Sequence, residues 1–307
     1  MAFSLRKSSE RGTVGLDIDG RYLAAARVSD GRMVSGASLD LPEGLISDGE
    51  VTDPAGLAAQ LKTFASTAGL PKSVRLGVAN QQIVVRVVEL PRIDDAKQRD
   101  AAVRFQASEA IAMPLDEAVL DHEIAGYVDA PDGTPRMQVV VVAARRTMVE
   151  SLLAATKAAG LKAEGIDLDA FALVRALAAE AHDDGACVFC HLAGVTNLAV
   201  AVGPSCFFTR PLSAVWDSHD AGSALADEIR LSIDYYMTQA QARRVGEVVL
   251  SGPGSAQAAL VEGLGVQLGI PVRVAAPLGA IDASGLAPDD DPYRYTIAAG
   301  LSMGATA

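Results

Sequence analysis

The residues of this chain whose types and spacing could do chemistry fall in three places. The first is a pair of carboxylates, Asp17 and Asp19, in Gly15-Leu16-Asp17-Ile18-Asp19-Gly20-Arg21. Carboxylates at such a turn can organise a divalent cation or cap the turn's own amides. The second is Cys187-Val188-Phe189-Cys190-His191, which has the spacing of a covalent haem c attachment. The third is the glycine-rich Ser251-Gly252-Pro253-Gly254-Ser255, where Pro253 has no backbone donor to offer.

The elements that must position these groups decide between the readings. Cys187 and Cys190 stand in an apolar, strand-like run, where residues three apart point to opposite faces. The chain has only four histidines, and covalent haem attachment belongs to exported proteins. The start, Met-Ala-Phe-Ser-Leu-Arg-Lys-Ser-Ser-Glu-Arg, has no apolar core of signal-peptide length, and no apolar run reaches the roughly 20 residues that span a bilayer. Haem and zinc are therefore not expected, and three cysteines without a secretory signal read as reduced thiols. The expected place is the cytoplasm, with any membrane association supplied by a partner.

At 307 residues the chain is about two domains long. Half of it is hydrophobic and 5% aromatic, so its cores must be built from Ala, Val, Leu and Ile. Lys and Arg number 26 against 38 Asp and Glu, a net charge of −12, which opposes attraction to nucleic acid or anionic lipid.

Residues 13–18 and 22–28 read as two strands joined by the Asp19-Gly20 turn, with a third strand near 33–39. Asp53-Pro54 supplies an N-cap and a first-turn proline for a helix carrying Leu57, Leu61 and Phe64, with Gly69 placed to end it. A strand over 74–79 follows. The same order returns at 187–192, 197–203 and 205–210, then a helix striped by Leu225, Ile229, Ile233 and Tyr236, then a strand ending at Leu250. A helix with Leu260, Leu264 and Leu268 and a strand at 272–274 complete the second half. Between the halves, 80–146 reads as a strand at 83–90, a helix after Asp94, a strand at 119–127, a turn at 131–133 and a strand at 137–144, a sheet with one open face. Helices are expected at 147–160 and 170–182. This gives an α/β protein with a duplicated core. The domains are a flexible tail at 1–11, a first domain from 12–79 and 147–185 to which a helix at 293–305 returns, an inserted β-α-β-β subdomain at 80–146, and a second domain at 186–292. A doubly wound sheet should instead open with a β-α unit and a glycine-rich phosphate loop.

Two hairpin-led β-β-β-α-β units resemble the duplicated, ribonuclease H-like core of the actin, sugar kinase and heat-shock ATPase superfamily. The resemblance sharpens in Ile83-Val84-Val85-Arg86-Val87-Val88-Glu89-Leu90-Pro91, in Ala102-Val103-Arg104-Phe105-Gln106-Ala107 and in Ile111-Ala112-Met113-Pro114-Leu115-Asp116-Glu117-Ala118-Val119-Leu120-Asp121. Together with Glu228-Ile229-Arg230-Leu231-Ser232-Ile233-Asp234-Tyr235-Tyr236 and Val248-Val249-Leu250-Ser251-Gly252-Pro253-Gly254-Ser255, these stretches resemble the PilM family of type IV pilus assembly proteins. FtsA-like division proteins and the cytoplasmic part of GspL resemble the chain more weakly.

The resemblance implies a cytoplasmic scaffold of a pilus or related secretion complex. It implies a groove beside the inserted subdomain that receives the N-terminal peptide of a PilN-like membrane protein, with motor ATPases as further partners. Arg86, Arg104, Phe105 and Met113 are the expected contacts, the alternative being that Phe105 and Met113 are core and that the arginines are solvated or paired with Asp100 and Glu109.

The resemblance also implies ATP and Mg²⁺ held between two phosphate hairpins and an adenosine loop, on Asp17, Gly20, Gly194, Thr196, Glu228, Gly252 and Gly254. Both hairpins are altered. Asp19 stands where a glycine is usual and is expected to face the phosphate approach; in the second hairpin Cys190 stands at the aspartate position and Leu192 at the glycine position. Asp17 could equally cap its turn, and Glu228 could face solvent. The stretch Trp216–Gly222 is short. Little or no hydrolysis is expected, against the alternatives of a working ATPase or kinase and of an FtsA-like filament former.

Overall fold

The structure is a computed structural model that describes residues 13–130, 132–181 and 185–304. The expected 1–11 tail, Pro131 of the 131–133 turn and the last residue of the 293–305 helix lie outside the described residues. The first hairpin forms as its chemistry requires. Strands β1 (Val14–Ile18) and β2 (Tyr22–Ser29) pair antiparallel, Gly20 takes a φ of 96°, and the Asp19 N–H donates to the Tyr22 carbonyl at 3.1 Å. Strand β3 (Arg32–Asp40) pairs with β2. A second Asp-Gly turn, Asp48-Gly49, joins the two-residue strands β4 (Ile46–Ser47) and β5 (Glu50–Val51), a hairpin the sequence reading passed over. Helix α1 (Pro54–Thr67) is capped by Asp53, whose side chain accepts from the Gly56 N–H, and it buries Leu57, Leu61 and Phe64. Strand β6 (Ser73–Val78) then lies parallel to β1.

Residues 82–150 form one compact unit, and the rest of the chain forms another. The smaller unit holds β7 (Val84–Pro91), α2 (Ala96–Ala110), β8 (Ala118–Asp129) and β9 (Pro135–Arg145), with sheet order β7-β9-β8. Helix α2 is capped by Asp95, one residue after the expected Asp94. Its Val103 and Ala107 pack against Val88, Leu90, Met137, Val139 and Val141. The expected open face is not open. Val85, Val140 and Val142, on the face away from α2, are also buried. The reason is visible in Val84-Val85-Arg86-Val87-Val88, which does not alternate, and an apolar run without alternation marks a strand covered on both faces.

The chain continues through α3 (Arg146–Ala158), β10 (Lys162–Leu168) and α4 (Asp169–Leu177), the last ending earlier than expected in a 3₁₀ turn at Ala178–Glu180. Strand β10 was not anticipated. Its Lys-Ala-Glu-Gly start has weak strand formers and carries an irregularity between Ala163 and Gly165, and it is parallel pairing with β6 that holds it.

The second half repeats the first. Strands β11 (Ala186–His191), β12 (Thr196–Val202) and β13 (Ser205–Leu212) precede α5 (Ala221–Met237), β14 (Val245–Ser251), α6 (Ala258–Leu268) and β15 (Val272–Val274). The sheet orders are β10-β6-β1-β2-β3 and β13-β12-β11-β14-β15. Each places its leading strand at the centre, with two successive antiparallel pairings on one side and two successive parallel pairings on the other.

Helix α4 and the late helix α7 (Thr296–Met303) share one core with both sheets, through Leu173, Leu177, Ile297 and Leu301 against Tyr22, Met33, Phe189 and Val249. Two glycines allow the close fit. A Cβ on Gly15 would lie 2.1 Å from the Ala298 carbonyl oxygen, and one on Gly300 would lie 2.0 Å from that of Ala172. Helices α5 and α6 cover the other face of the second sheet with Leu225, Ile229, Tyr236, Leu260 and Leu264. Cys187 belongs to the first of these cores and Cys190 to the second, so the two thiols do not meet at one site.

Candidate functional site

The duplicated topology places the tips of the two leading hairpins against each other. Their strand registers are equivalent: the pairs nearest the turn are Ile18 with Leu23 and His191 with Asn197, so Asp17 and Cys190 hold corresponding positions. Asp17 is buried and its Oδ1 has no hydrogen-bond partner. Burial, then the charges of Asp169 and Asp19, hold its carboxyl well above the usual carboxylate range. Cys190 is fully buried, and burial pushes its thiol up to about 12. His191, the counterpart of Ile18, is likewise buried, with Nδ1 3.3 Å from the Ser251 hydroxyl; burial lowers its pKa to about 3 and keeps it neutral.

Asp19 does not face an open approach. Its two carboxylate oxygens accept from the Gly194 N–H at 2.7 and 2.8 Å, and Oδ1 also accepts from the Val195 N–H at 3.3 Å. Gly194 permits this because a Cβ there would lie 2.5 Å from Asp19 Oδ2. Burial raises the Asp19 carboxyl to about 6, and the amide hydrogen bonds act against that shift.

Two residues later Arg21 makes a bidentate pair with Asp217 at 2.7 and 3.1 Å and lies 5.4 Å from the centre of the Trp216 ring. The Trp216 indole N–H donates to the Ala193 carbonyl at 3.0 Å, and the ring covers Gly254, where a Cβ would come within 2.6 Å of it.

The remaining candidates are engaged in the same internal way. The Gly254 N–H donates to the Leu192 carbonyl at 2.9 Å. Gly252 sits at φ 84° against the Leu192 backbone. The Thr196 hydroxyl donates to the Ala214 carbonyl at 3.2 Å. Glu228 neither stands free in solvent nor offers both its oxygens to a ligand: its carboxylate accepts from the Ser213 N–H at 2.9 Å. The structure therefore packs Gly194 against Asp19 and Gly252 and Gly254 against Leu192 and Trp216, while Gly20 faces Ile46.

Sequence reasoning missed Asp169. It opens α4 and is buried, its Oδ1 lacks a partner, and it is pressed against Gly77, where a Cβ would lie 2.1 Å away. Burial and the charges of Asp19 and Asp167 raise its pKa to about 8. The available signal was an acidic residue at a helix start; its partnership with Asp17 crosses far too much sequence for spacing to reveal. Asp167 beside it is paired with Arg175 at 2.8 Å.

In the smaller unit the four expected contact residues divide. Phe105 is 68% exposed on α2, and Arg104 beside it is exposed without an ion pair among the described residues. Asp100 faces His122 at 3.4 Å and Glu109 accepts from Gln106, so neither serves Arg104. Arg86 is half-buried on the α2 side of the sheet and donates to the Val85 carbonyl, and Met113 is half-buried against the unit's core. Tyr127 is 60% exposed, with the Arg92 guanidinium 5.3 Å from its ring centre.

Two sheets of identical order, each led by a hairpin, with α4 and α7 packed in the core they share, define a protein of the actin-like ATPase fold. A protein described as having that fold and unknown function, from Bacteroides thetaiotaomicron, is similar at TM-score 0.51 and 11% identity, over 88% of this chain and 93% of that one. Ethanolamine utilization protein EutJ from Carboxydothermus hydrogenoformans is similar at TM-score 0.53 and 13% identity, over 99% and 92%. More particularly, the chain belongs to the family of the type IV pilus assembly protein PilM, whose sequence profile matches residues 15–210. A PilM-PilN type IV pilus biogenesis complex contains a chain similar to it at TM-score 0.80 and 23% identity, over 97% of this chain and all of that one.

Proposed function

We propose that this chain is a non-catalytic scaffold of a type IV pilus inner-membrane assembly complex, and that it holds the N-terminal cytoplasmic peptide of a PilN-like membrane protein on its inserted unit. Membership of the PilM family and similarity to a chain from a PilM-PilN complex support the assignment to pilus assembly. One observation carries the choice of surface. The two most exposed aromatic rings among the described residues, Phe105 and Tyr127, both lie in the 82–150 unit, and Phe105 has Arg104 next to it. Aromatic and arginine side chains supply most interface hot spots. The reading therefore rests on Phe105 and Arg104 ahead of the half-buried Arg86 and Met113. Among the described residues no helix is long and apolar enough to cross a membrane, so in this reading the partner supplies the membrane attachment. Motor ATPases of the pilus machine are a further class of partner.

The same residues argue against a nucleotide role. Mg-ATP needs free amides for its phosphates and a carboxylate pair for its metal. Here the Gly194 and Val195 amides serve Asp19, Trp216 lies on Gly254, and Cys190 stands where the second carboxylate would be. A phosphate would have to enter beside the Asp19 charge and displace it.

The test is calorimetry of the full chain with the synthetic N-terminal cytoplasmic peptide of a PilN-like membrane protein. Phe105→Ala should weaken binding about thirtyfold, the loss of one interface anchor worth about 2 kcal/mol. Its melting temperature should stay unchanged. Unaltered affinity in the folded variant would remove Phe105 as an anchor, and absence of binding by the parent protein would end the peptide reading.

A further inference from the structure

We propose that Asp19 is a built-in anion, which fills the amide nest of the second hairpin and, together with Arg21, latches the two halves of the duplicated core shut without any ligand. Successive backbone N–H groups at a tight turn form a concavity that binds anions, commonly phosphate. Gly194 and Val195 are such a pair, and both point at one carboxylate. Hydrogen bonds to an ionised acceptor are about twice as strong as neutral ones, so this contact is a tie as well as a filling.

The geometry is built from both sides. A Cβ at Gly194 would meet Asp19 Oδ2 at 2.5 Å and the Asp19 carbonyl oxygen at 2.6 Å, so the absent side chain is what lets the two tips touch. One residue earlier in the same turn, the Ala193 carbonyl accepts from the Trp216 indole. Arg21 lies over that ring and grips Asp217, and Gln81 adds a hydrogen bond from its amide to the Ser213 hydroxyl at 2.9 Å. The short segment after β13 is thus the strap that receives Arg21.

A free anion must compete with a carboxylate that the chain already holds at the nest, an intramolecular contact that needs no second molecule to be captured. The latch therefore excludes phosphate-bearing ligands from the nest and holds the two hairpin tips together without one. This holds whichever partner the inserted unit binds, and it stands or falls apart from the peptide reading.

Amide hydrogen exchange and NMR titration with inorganic phosphate on the full chain test it. In the parent protein the Gly194 and Val195 amides should exchange slowly and their resonances should not move with phosphate. In Asp19→Gly both amides should exchange at least ~10-fold faster, with Leu198 and Val200 in β12 unchanged, and their resonances should shift on adding phosphate. Asp19→Asn, which keeps the size and removes the charge, guards against misfolding of the glycine variant and should speed exchange at the same two amides. Unchanged exchange there in either folded variant would overturn the latch. Faster exchange with no phosphate response in Asp19→Gly would overturn the anion nest, and a parent protein already responding to phosphate at Gly194 would overturn the exclusion.

Discussion

The two leading hairpins have the same strand order and the same register at their ends, and opposite chemistry. The first carries two buried carboxylates, Asp17 and Asp19, and through Asp19 supplies the acceptors. The second has Cys190 and Leu192 at the matching positions, both fully buried and apolar, and supplies donors from its turn. Copies of one topology have divided a task between them. Topology fixed where the tips would meet, and a handful of side chains decided whether the meeting place would be open to a third party.

That comparison can be broken most severely at the glycines. Gly194→Ala places a Cβ against the Asp19 carbonyl oxygen as well as its carboxylate and should cost roughly 3 kcal/mol, read as a melting temperature about 8 °C lower. Gly20→Ala, whose Cβ would meet only Ile46 at an ordinary 3.4 Å, should cost about 1 kcal/mol for its positive φ. Equal effects would mean that the two tips do not press on each other as described.

The next effect is one of pH and belongs to the first half alone. Burial raises the Asp17 carboxyl well above the usual range, with the charges of Asp169 and Asp19 adding to it, and burial with the charges of Asp19 and Asp167 raises Asp169 to about 8 against an ordinary 3.8. The folded state thus binds protons that the unfolded state has released. Stability should be highest below pH 3.8 as far as this group is concerned, and should fall as pH rises to about 8. Thermal melts across that range should show the decline, and Asp169→Asn should flatten it; an unchanged slope in the variant would place the origin elsewhere.

Smallest is Arg21→Ala, which removes an ion pair that is 41% and 43% exposed and an exposed ring contact. Solvent screening limits its cost to about 0.5–1 kcal/mol, and high salt should shrink the difference from the parent protein.

The duplication was legible because hairpin signals and helical stripes are local. Asp19-Gly20, Asp53-Pro54 and the Leu225, Ile229, Tyr236 stripe each declare themselves within a few residues. The change at Cys190 was legible too, since it needs only the family's hairpin pattern laid on Gly194-Val195-Thr196. What Asp19 does was not. Its partners stand 175 positions away, and spacing said only that a carboxylate replaced a glycine. The same holds for Trp216 over Gly254 and for Asp169. Strand β10 was hidden for a different reason, because its residues are poor strand formers and tertiary pairing overrides them. The covered second face of the inserted sheet, by contrast, was written in its unbroken valines and was simply misread.

The packing of α7 on β1 has a consequence for how the protein is made. The Ser302 hydroxyl donates to the Thr13 carbonyl across 289 positions, and Gly15 is shaped to receive Ala298. During synthesis the first strand therefore waits, with one flank bare, until α7 has been made. Contacts of such long range form late and leave apolar strand surface exposed in the meantime. Chains that stop before α7 would carry a complete first hairpin and an unfinished core, and such exposed apolar surface is what chaperones bind.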